Sequence, residues 1–373
     1  ILNEGKNSID NYRYLGSYYA TFKYKDLLSF KTSFNADVMY TDDYTYYNER
    51  HPYGLGEGRL IESSRLVKNW TFDNVLNFNH KIGSLYLSAM AGHSFQKIES
   101  KTRGTDVNGF PSPSFDVTSV ASTIANASGN ISEFAMESYF ARVSLSFKER
   151  YLFNATVRSD GSSKFARSER WGMFPSVSLG WNISKEPFME SSNIDLKLRV
   201  SYGKTGNQED IGNYAYLPQL SGGYNYGYES GLAFNNFGND QLTWEKADQY
   251  NLGFDLTFFQ SKVNVLFDIY QKNTNNLLYN KPIHATSGMG SIMSNIGSMR
   301  NRGVEFSLNT YFSLGPVLWN SQFNIASNQN KLTSLLGDDL LAIGANRALQ
   351  VGKSIGSFYL FKMDGIYQYD GGA

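Results

Sequence analysis

The sequence predicts an all-β fold, an antiparallel up-and-down transmembrane β-barrel, from three observations. Apolar and polar residues alternate over segments of about eight to ten positions, which is the signal of a strand with one apolar face. Aromatic residues are abundant, with 26 Tyr, 26 Phe and 5 Trp making 15% of the chain, and such residues favour a pleated, half-buried surface. The connections between these segments alternate between short and long. Together these features are typical of strands that cross a bilayer.

The alternation recurs along most of the chain. Val143 and Leu145, for example, alternate with Arg142 and Ser144. Comparable segments lie at 18–24, 28–38, 70–78, 85–91, 139–147, 151–157, 177–183, 196–202, 250–258, 263–269, 304–312 and 319–325. We therefore expect about twelve strands of roughly ten residues, the length that crosses a bilayer when the strand is tilted.

The connections define two sides of the predicted barrel. Short connections fall near 25–27, 79–84, 148–150, 184–193, 259–261 and 313–316. Long connections fall near 39–69, 96–136, 159–172, 204–246, 271–300 and after 329. Alternate connections of an up-and-down barrel lie on the same side, and short turns opposite long loops are the outer-membrane pattern. A soluble β-sandwich or propeller is the alternative fold, since it also contains many short strands.

Composition excludes several other classes of protein. The 34 basic and 34 acidic residues give a formal net charge of +0, which does not suggest a nucleic-acid partner. The chain contains no Cys, so it has neither disulfides nor Cys-ligated metals. Mean hydropathy is -0.39, and no stretch approaches the ~20 apolar residues of a membrane helix.

The ends of the sequence suggest a part of a longer barrel. No signal peptide begins at Ile1, and the chain stops in an expected loop at residues 370–373. A sheet in lipid must close on itself, because lipid offers no hydrogen bonds to an open edge. We therefore expect further strands outside residues 1–373, and a large barrel of the class that holds a plug.

Five ordered blocks resemble a known family. They are 151–189, 196–217, the pattern W-E-x-x-x-Q-x-N-x-G formed by Trp244, Glu245, Gln249, Asn251 and Gly253, and the segments 295–309 and 355–368. In this order they resemble the barrel of SusC/RagA-type TonB-dependent transporters, over about residues 130–370.

The resemblance implies that residues 1–373 are one part of a barrel domain of about 22 strands, without its N-terminal plug and its last strands. It implies active import of a large nutrient, an oligosaccharide or a peptide, across the bacterial outer membrane. It further implies a SusD-type surface lipoprotein as a lid, the TonB complex acting through a plug and TonB box, and a dimer of barrel–lid pairs. The alternatives are a siderophore or cobalamin receptor, and a structural or secretion-associated barrel without its own substrate.

Two Tyr-rich loops are the candidate ligand-binding feature. In the first loop the candidate ligand-binding residues are Tyr44, Tyr46 and Tyr47, which lie near Tyr40 and Tyr53. In the second loop they are Tyr214, Tyr226 and Tyr228, which lie near Tyr216 and Tyr224. A Tyr ring offers an apolar face and a hydroxyl, which suits a sugar. Alternatively, these tyrosines belong to the aromatic girdles at the membrane interface, or they pack the loops against the lid protein.

The segment 160–163, Asp-Gly-Ser-Ser, is predicted to be a turn at a strand tip.

Charged residues on the polar face are candidates for contacts inside the barrel. Arg142, Arg158, Lys197 and Arg199 should point into the lumen. There they would meet acidic plug side chains or an anionic substrate. The histidines, His51, His80, His93 and His284, do not have metal-ligand spacing, and no nucleophile–base pair is recognisable. We therefore expect no catalytic residues, no metal and no cofactor.

Overall fold

The structure is a computed structural model that describes residues 4–335, 337, 340–343 and 346–365. The expected C-terminal loop at 370–373 and the end of the block 355–368 lie outside these residues. Within the described part, no helix has the length and apolar character needed to span a bilayer.

One antiparallel sheet of twelve strands makes up most of the molecule. Its strands are β1 (Gly5–Tyr24), β2 (Leu28–Tyr47), β3 (Arg59–Ile82), β4 (Leu85–Asn108), β5 (Thr123–Phe147), β6 (Tyr151–Ser162), β7 (Trp171–Asn182), β8 (Ile194–Asn207), β11 (Glu245–Phe258), β12 (Val263–Asn275), β15 (Gly297–Leu314) and β16 (Val317–Leu335). The predicted number of about twelve strands is therefore confirmed.

Short elements lie in the connections. The hairpins are β9 (Gln219–Gly222) with β10 (Leu232–Asn236), and β13 (Leu278–Pro282) with β14 (Ser291–Asn295), and a small sheet contains β17 (Leu340–Ile343), β18 (Arg347–Gln350) and β19 (Ser357–Phe358). The 3-10 helices are η1 (Pro52–Gly54), η2 (Thr118–Val120), η3 (Ile183–Lys185), η4 (Pro187–Met189) and η5 (Ala285–Ser287).

The main sheet has simple up-and-down topology. Each strand pairs with the next one along the chain, except that β8 pairs with β11 and β12 pairs with β15, because the two hairpins are inserted there. The connections predicted to be short lie at one end of the sheet and those predicted to be long lie at the other end, as expected. One pair departs from the predicted lengths, because the connection 183–193, which contains η3 and η4, is longer than the connection 163–170 at the opposite end. We call these two ends the turn end and the loop end.

Seven strands are much longer than the sequence predicts, since β1 and β2 contain 20 residues each, β15 contains 18 and β16 contains 19, and β3–β5 are the longest. β3, β4 and β5 contain 24, 24 and 25 residues, whereas we expected roughly ten. The long loops predicted at 39–69 and 96–136 are therefore wrong, and the connections are 48–58 and 109–122. Beyond the apolar zone neither face needs to be apolar, so alternation ends while the ladder of backbone hydrogen bonds continues.

Strand register separates two faces of the sheet. Directly paired residues of neighbouring strands share a face. Val143 pairs with Ala155, whereas the adjacent Ser144 pairs with Asn154. We call these faces the apolar face and the polar face, and the register continues them from β1 to β16.

Exposed apolar side chains form a band across the apolar face. Leu179 and Leu252 are 53% and 57% exposed, as expected of side chains that contact lipid. Aromatic ring pairs border this band at both ends. They are Tyr139 with Trp171 (6.0 Å) and Tyr202 with Tyr250 (5.0 Å) at the loop end, and Phe147 with Tyr151 (6.4 Å) at the turn end. Such girdles mark the two interfaces of a membrane barrel.

The two faces predict opposite responses to adjacent substitutions. Val143→Lys places a charge in the middle of the apolar band and should oppose assembly by roughly 2–4 kcal/mol. Ser144→Lys, one residue later on the polar face, is the matched control. We expect heat-modifiable gel mobility to reveal less folded Val143→Lys protein in the membrane, and normal Ser144→Lys protein. Equal assembly of both variants would contradict the assignment of the faces.

Candidate functional site

The polar face carries all the predicted lumen cations. Arg142 pairs with Thr156, two residues from Arg158 on the same face of β6, while Arg199 pairs with Gly180 and Lys197 with Asn182. This is the face of Ser144 and Asn154. The structure therefore brings the four cations to one surface, opposite the apolar band.

Arg199 connects three strands on this face. Its Nη2 donates to Asp255 of β11 at 2.8 Å and to Asp268 of β12 at 3.1 Å. Gly253 of β11 lies between Arg199 and Asp268 and pairs with both. A Cβ at Gly253 would come within 2.2 Å of the Oδ1 atom of Asp268. The glycine of the W-E-x-x-x-Q-x-N-x-G pattern therefore leaves the space through which this ion pair forms.

The lumen cations differ in their partners. Arg158 donates to Asp160 at 2.7 Å and to Ser138 at 2.9 Å. Arg142 and Lys197 have no carboxylate partner among the described residues.

The turn predicted at 160–163 is wrong, because β6 continues to Ser162 and includes Asp160. The carboxylates Asp255, Asp268 and Asp160 were not among the predicted site residues. The alternation of the strands could have indicated these carboxylates, because each one occupies a position whose side chain lies on the polar face.

The first Tyr cluster is divided between the two faces. Tyr44 and Tyr46 lie on the apolar face, above the band, and Tyr47 lies on the polar face. Tyr46 is only 2% exposed and packs in a small core with Leu60 and Val107. The connection 109–122 covers this core, with the Phe110 ring 5.3 Å from the Tyr46 ring. This geometry gives Tyr46 a packing role.

A polar contact fixes the connection 109–122 to the sheet. The Tyr44 hydroxyl donates to the Asp116 carbonyl at 2.9 Å, and the Lys6 ammonium pairs with the Asp116 carboxylate. The hydrogen bond from Lys6 lowers the pKa of Asp116 from its ordinary value. Burial and the Asp116 charge raise the pKa of Tyr44. Both shifts preserve this contact at neutral pH.

A second core joins the loops at the polar side of β6–β11. We call it the mouth core, and it contains Phe165, Phe174, Ile211, Ala215, Leu242, Trp244 and Leu278. The Trp244 Nε1 donates to the Arg170 carbonyl at 3.0 Å, and the buried Lys164 Nζ donates to the Gln208 carbonyl at 3.1 Å. The sequence blocks 151–189, 196–217 and 244–253 therefore meet in one folded unit.

The second Tyr cluster extends from the mouth core into solvent. The Tyr214 hydroxyl accepts the backbone N–H of Glu133 at 2.8 Å, which fixes it to β5. Tyr226 and Tyr228 lie at the tip of the β9–β10 hairpin, where Tyr226 is 91% exposed and Tyr228 is fully exposed. Tyr47 stacks on His51, with ring centroids 4.5 Å apart. Ligand binding by these residues and by Tyr44 stays a prediction.

Groups that hold metals do not assemble in the part of the chain that the structure describes. No cluster of three or more His, Cys, Asp or Glu residues occurs there. His93 instead contacts Glu137 at 3.2 Å, beside the ring of Tyr139.

The apolar band between aromatic girdles, the polar inner face and the folded loops at one end define a large β-barrel of the bacterial outer membrane. A family model described as TonB dependent receptor-like, beta-barrel, matches residues 2–357. The chain belongs to this family of TonB-dependent receptors, and its location is the outer membrane. The loop end of the sheet is therefore the extracellular end, and the turn end is periplasmic.

Two relatives illustrate the similarity in sequence. The TonB-dependent receptor P3 of Formosa agariphila is 32% identical over 377 residues, covering 96% of this chain and 37% of the relative. The TonB-dependent receptor SusC of Bacteroides thetaiotaomicron is 35% identical over 261 residues, covering 63% of this chain and 25% of the relative. The chain thus spans between a quarter and two fifths of the length of these two relatives.

Solved structures agree with the fold. The structure of the RagAB peptide transporter matches with a TM-score of 0.90 and 26% identity, covering 96% of this chain and 40% of the matched chain. The siderophore receptor PiuA of Acinetobacter baumannii matches with a TM-score of 0.55 and 12% identity, which shows the shared fold alone. The resemblance to SusC/RagA-type transporters is therefore confirmed.

The packing of the mouth core predicts that alanine substitution has different effects at two glycines. A Cβ at Gly206 would come within 2.2 Å of the Phe174 ring, whereas a Cβ at Gly212 meets nothing within 4 Å. Gly206→Ala should therefore disturb the core by roughly 1–3 kcal/mol, the usual effect of overpacking. We expect faster limited proteolysis of the loop 208–244 in Gly206→Ala and no change in Gly212→Ala. Identical cleavage rates would show that the loops do not depend on this packing.

The Lys6–Asp116 contact predicts a pH dependence. Because the fold lowers the pKa of Asp116, its stabilising contribution is complete above the ordinary aspartate pKa of about 4 and is lost as the pH falls from there through the lower pKa of the folded state. The protection factors of residues 109–122, which correct hydrogen exchange for its slower intrinsic rate in acid, should therefore decrease over this range. Asp116→Asn should have low protection factors already at pH 7 and show little further decrease. An acid response unchanged in Asp116→Asn would assign the effect to other groups.

Proposed function

We propose that the whole protein imports a large nutrient across the outer membrane in a TonB-dependent manner, with an oligosaccharide as the first substrate class and a peptide as the second. The observation that carries nutrient import is the match to the RagAB peptide transporter over 96% of the chain, and the oligosaccharide class rests on the resemblance of the five sequence blocks to SusC/RagA-type transporters. At 26% identity and a TM-score of 0.90, the match to RagAB is much stronger than the match to a siderophore receptor.

We further propose a SusD-type surface lipoprotein as the partner at the extracellular mouth. The β9–β10 hairpin supports this, because its apolar side chains are too exposed to contribute to a core of this chain. Leu220, Leu232 and Phe234 are 56%, 69% and 56% exposed, beside the tyrosines at the tip. Large exposed apolar patches usually mark a site of interaction. Coupling to the TonB complex and a dimer of barrel–lid pairs are parts of the same proposal.

In this proposal the chain acts without catalysis. The polar face supplies a wet wall on which Arg142 and Lys197 remain available to an anionic group, such as a plug carboxylate or an acidic substrate. The described residues offer no arrangement of nucleophile and base that suggests a reaction. Transport requires only binding at the mouth and passage along this wall.

Purification of the native complex tests the proposal directly. The full-length protein should be isolated from native outer membranes in mild detergent, and mass spectrometry should identify the associated lipoprotein and any bound glycan or peptide. Purification without a lipoprotein, together with a growth defect only under iron or cobalamin limitation, would support the receptor alternative. Normal growth of a deletion strain on every glycan and peptide would support a structural barrel.

The exposed tyrosines predict a defect in uptake. Tyr226→Ala combined with Tyr228→Ala removes two ring faces from the hairpin tip and should weaken substrate uptake severalfold, since a buried aromatic contact contributes ~1 kcal/mol or more. The control is Tyr311→Ala, a 53% exposed tyrosine near the periplasmic end. Barrel levels should stay equal in all strains. Uptake at the level of the control would refute the role of these rings.

A further inference from the structure

Four cations gather on the apolar face at its extracellular border. We call this group the rim patch, and it contains Lys246 of β11, Arg300 and Arg302 of β15, and Lys331 of β16. Register places them on the same face as the apolar band, just above it. Arg302 pairs with Gln271 on one side and Gln329 on the other, and both neighbours are neutral.

The rim patch has no compensating charge among the residues that the structure describes. None of its members forms an ion pair with a carboxylate of the described residues. The nearby Asp248 already pairs with Lys204 at 3.4 Å and accepts the Tyr202 hydroxyl at 2.7 Å. Arg300 and Lys331 are direct cross-strand neighbours, and like charges at such positions destabilise a sheet unless an anion lies between them.

The opposite flank of the same border is built differently. On β3–β5, Lys68 pairs with Glu99 at 3.4 Å and Lys97 pairs with Glu133 at 3.1 Å. Both cations next to the band on this flank, Lys68 and Lys97, therefore have carboxylate partners, although Lys101 and Arg103 further along β4 have none among the described residues. The rim patch on β11–β16 differs in that its cations directly at the border are without such partners.

An apolar groove lies directly below the rim patch. It has a volume of about 720 Å³ and is lined by Val177, Val200, Leu252, Ile269 and Val304, with Arg302 at its polar end. All these residues lie on the apolar face, so the groove opens towards lipid. An acyl chain is the natural occupant of such a surface, because it removes apolar area from contact with the polar border.

We propose that the rim patch and the groove together bind a phosphorylated glycolipid of the outer leaflet, with its phosphate between Arg300, Arg302 and Lys331 and an acyl chain along the groove. Arginine donates paired hydrogen bonds to phosphate oxygens, and basic residues at a membrane border recognise anionic head groups. The phosphate supplies the negative charge that the described residues do not provide at this point. The patch lies at the extracellular border of the apolar band, so the lipid comes from the outer leaflet.

Lipid retention by the full-length protein tests this inference. The protein and its Arg300→Gln/Arg302→Gln variant should be purified from outer membranes, and lipid A per barrel should be quantified by mass spectrometry. We expect the variant to retain roughly tenfold less lipid A, since each cation near an anionic head group contributes to affinity. The matched control is Arg142→Gln/Lys197→Gln, which removes the same charge from the polar face and should retain the wild-type amount.

Defined lipids identify the recognised chemistry. In detergent, purified lipid A should bind the wild-type protein more tightly than dephosphorylated lipid A or phosphatidylglycerol. Equal retention by the rim variant and the control would overturn the proposal, and so would equal affinity for phosphatidylglycerol or for the dephosphorylated lipid. If the double variant assembles poorly, Lys331→Gln at the exposed end of the patch gives the same comparison, because it removes a cation without altering the groove.

Discussion

The need to pair every backbone amide inside lipid is the constraint on which the structure depends. A bilayer offers no hydrogen bonds, so the strands must satisfy each other, and twelve of them do so in sequence order. Once the ladder is continuous, register alone decides which side chains meet lipid and which meet water. The apolar band, the aromatic girdles and the polar wall are consequences of that single alternation.

Ion pairing follows the same division. Arg199 reaches two carboxylates on different strands, and it does so on the wet face, where a charged network is stable. At the extracellular border of the lipid face, by contrast, the ion pairs of Lys68 and Lys97 on β3–β5 give way on β11–β16 to cations that have no carboxylate partner among the described residues. A cation with a carboxylate partner on a neighbouring strand stabilises the sheet, whereas a cation without such a partner can bind an external anion.

Much of the fold could be predicted from the sequence, because lipid imposes alternation that is visible residue by residue. Strand number, turn positions and the polar face of Arg142 and Lys197 follow from it. The extensions of β3–β5 could not be predicted, since above the membrane both faces are wet and the pattern disappears. The packing role of Tyr46 was also hidden, because a tyrosine beside a loop has the same local sequence whether its ring is covered by 109–122 or open to a ligand. The mouth core depends on contacts between distant loops that no local pattern reveals.

The unequal strand lengths give the extracellular opening two kinds of border. On one flank β3–β5 continue for about ten residues, or roughly 30 Å at ~3.3 Å per residue along each strand, beyond the border of the apolar band, and they cannot part without breaking rows of backbone hydrogen bonds. On the other flank β6 and β7 contain 12 residues each, and the border above them is held by a few apolar side chains around Trp244. Separation of the loop-built flank therefore disrupts only side-chain packing and loop contacts, whereas separation of the strand-built flank breaks backbone hydrogen bonds.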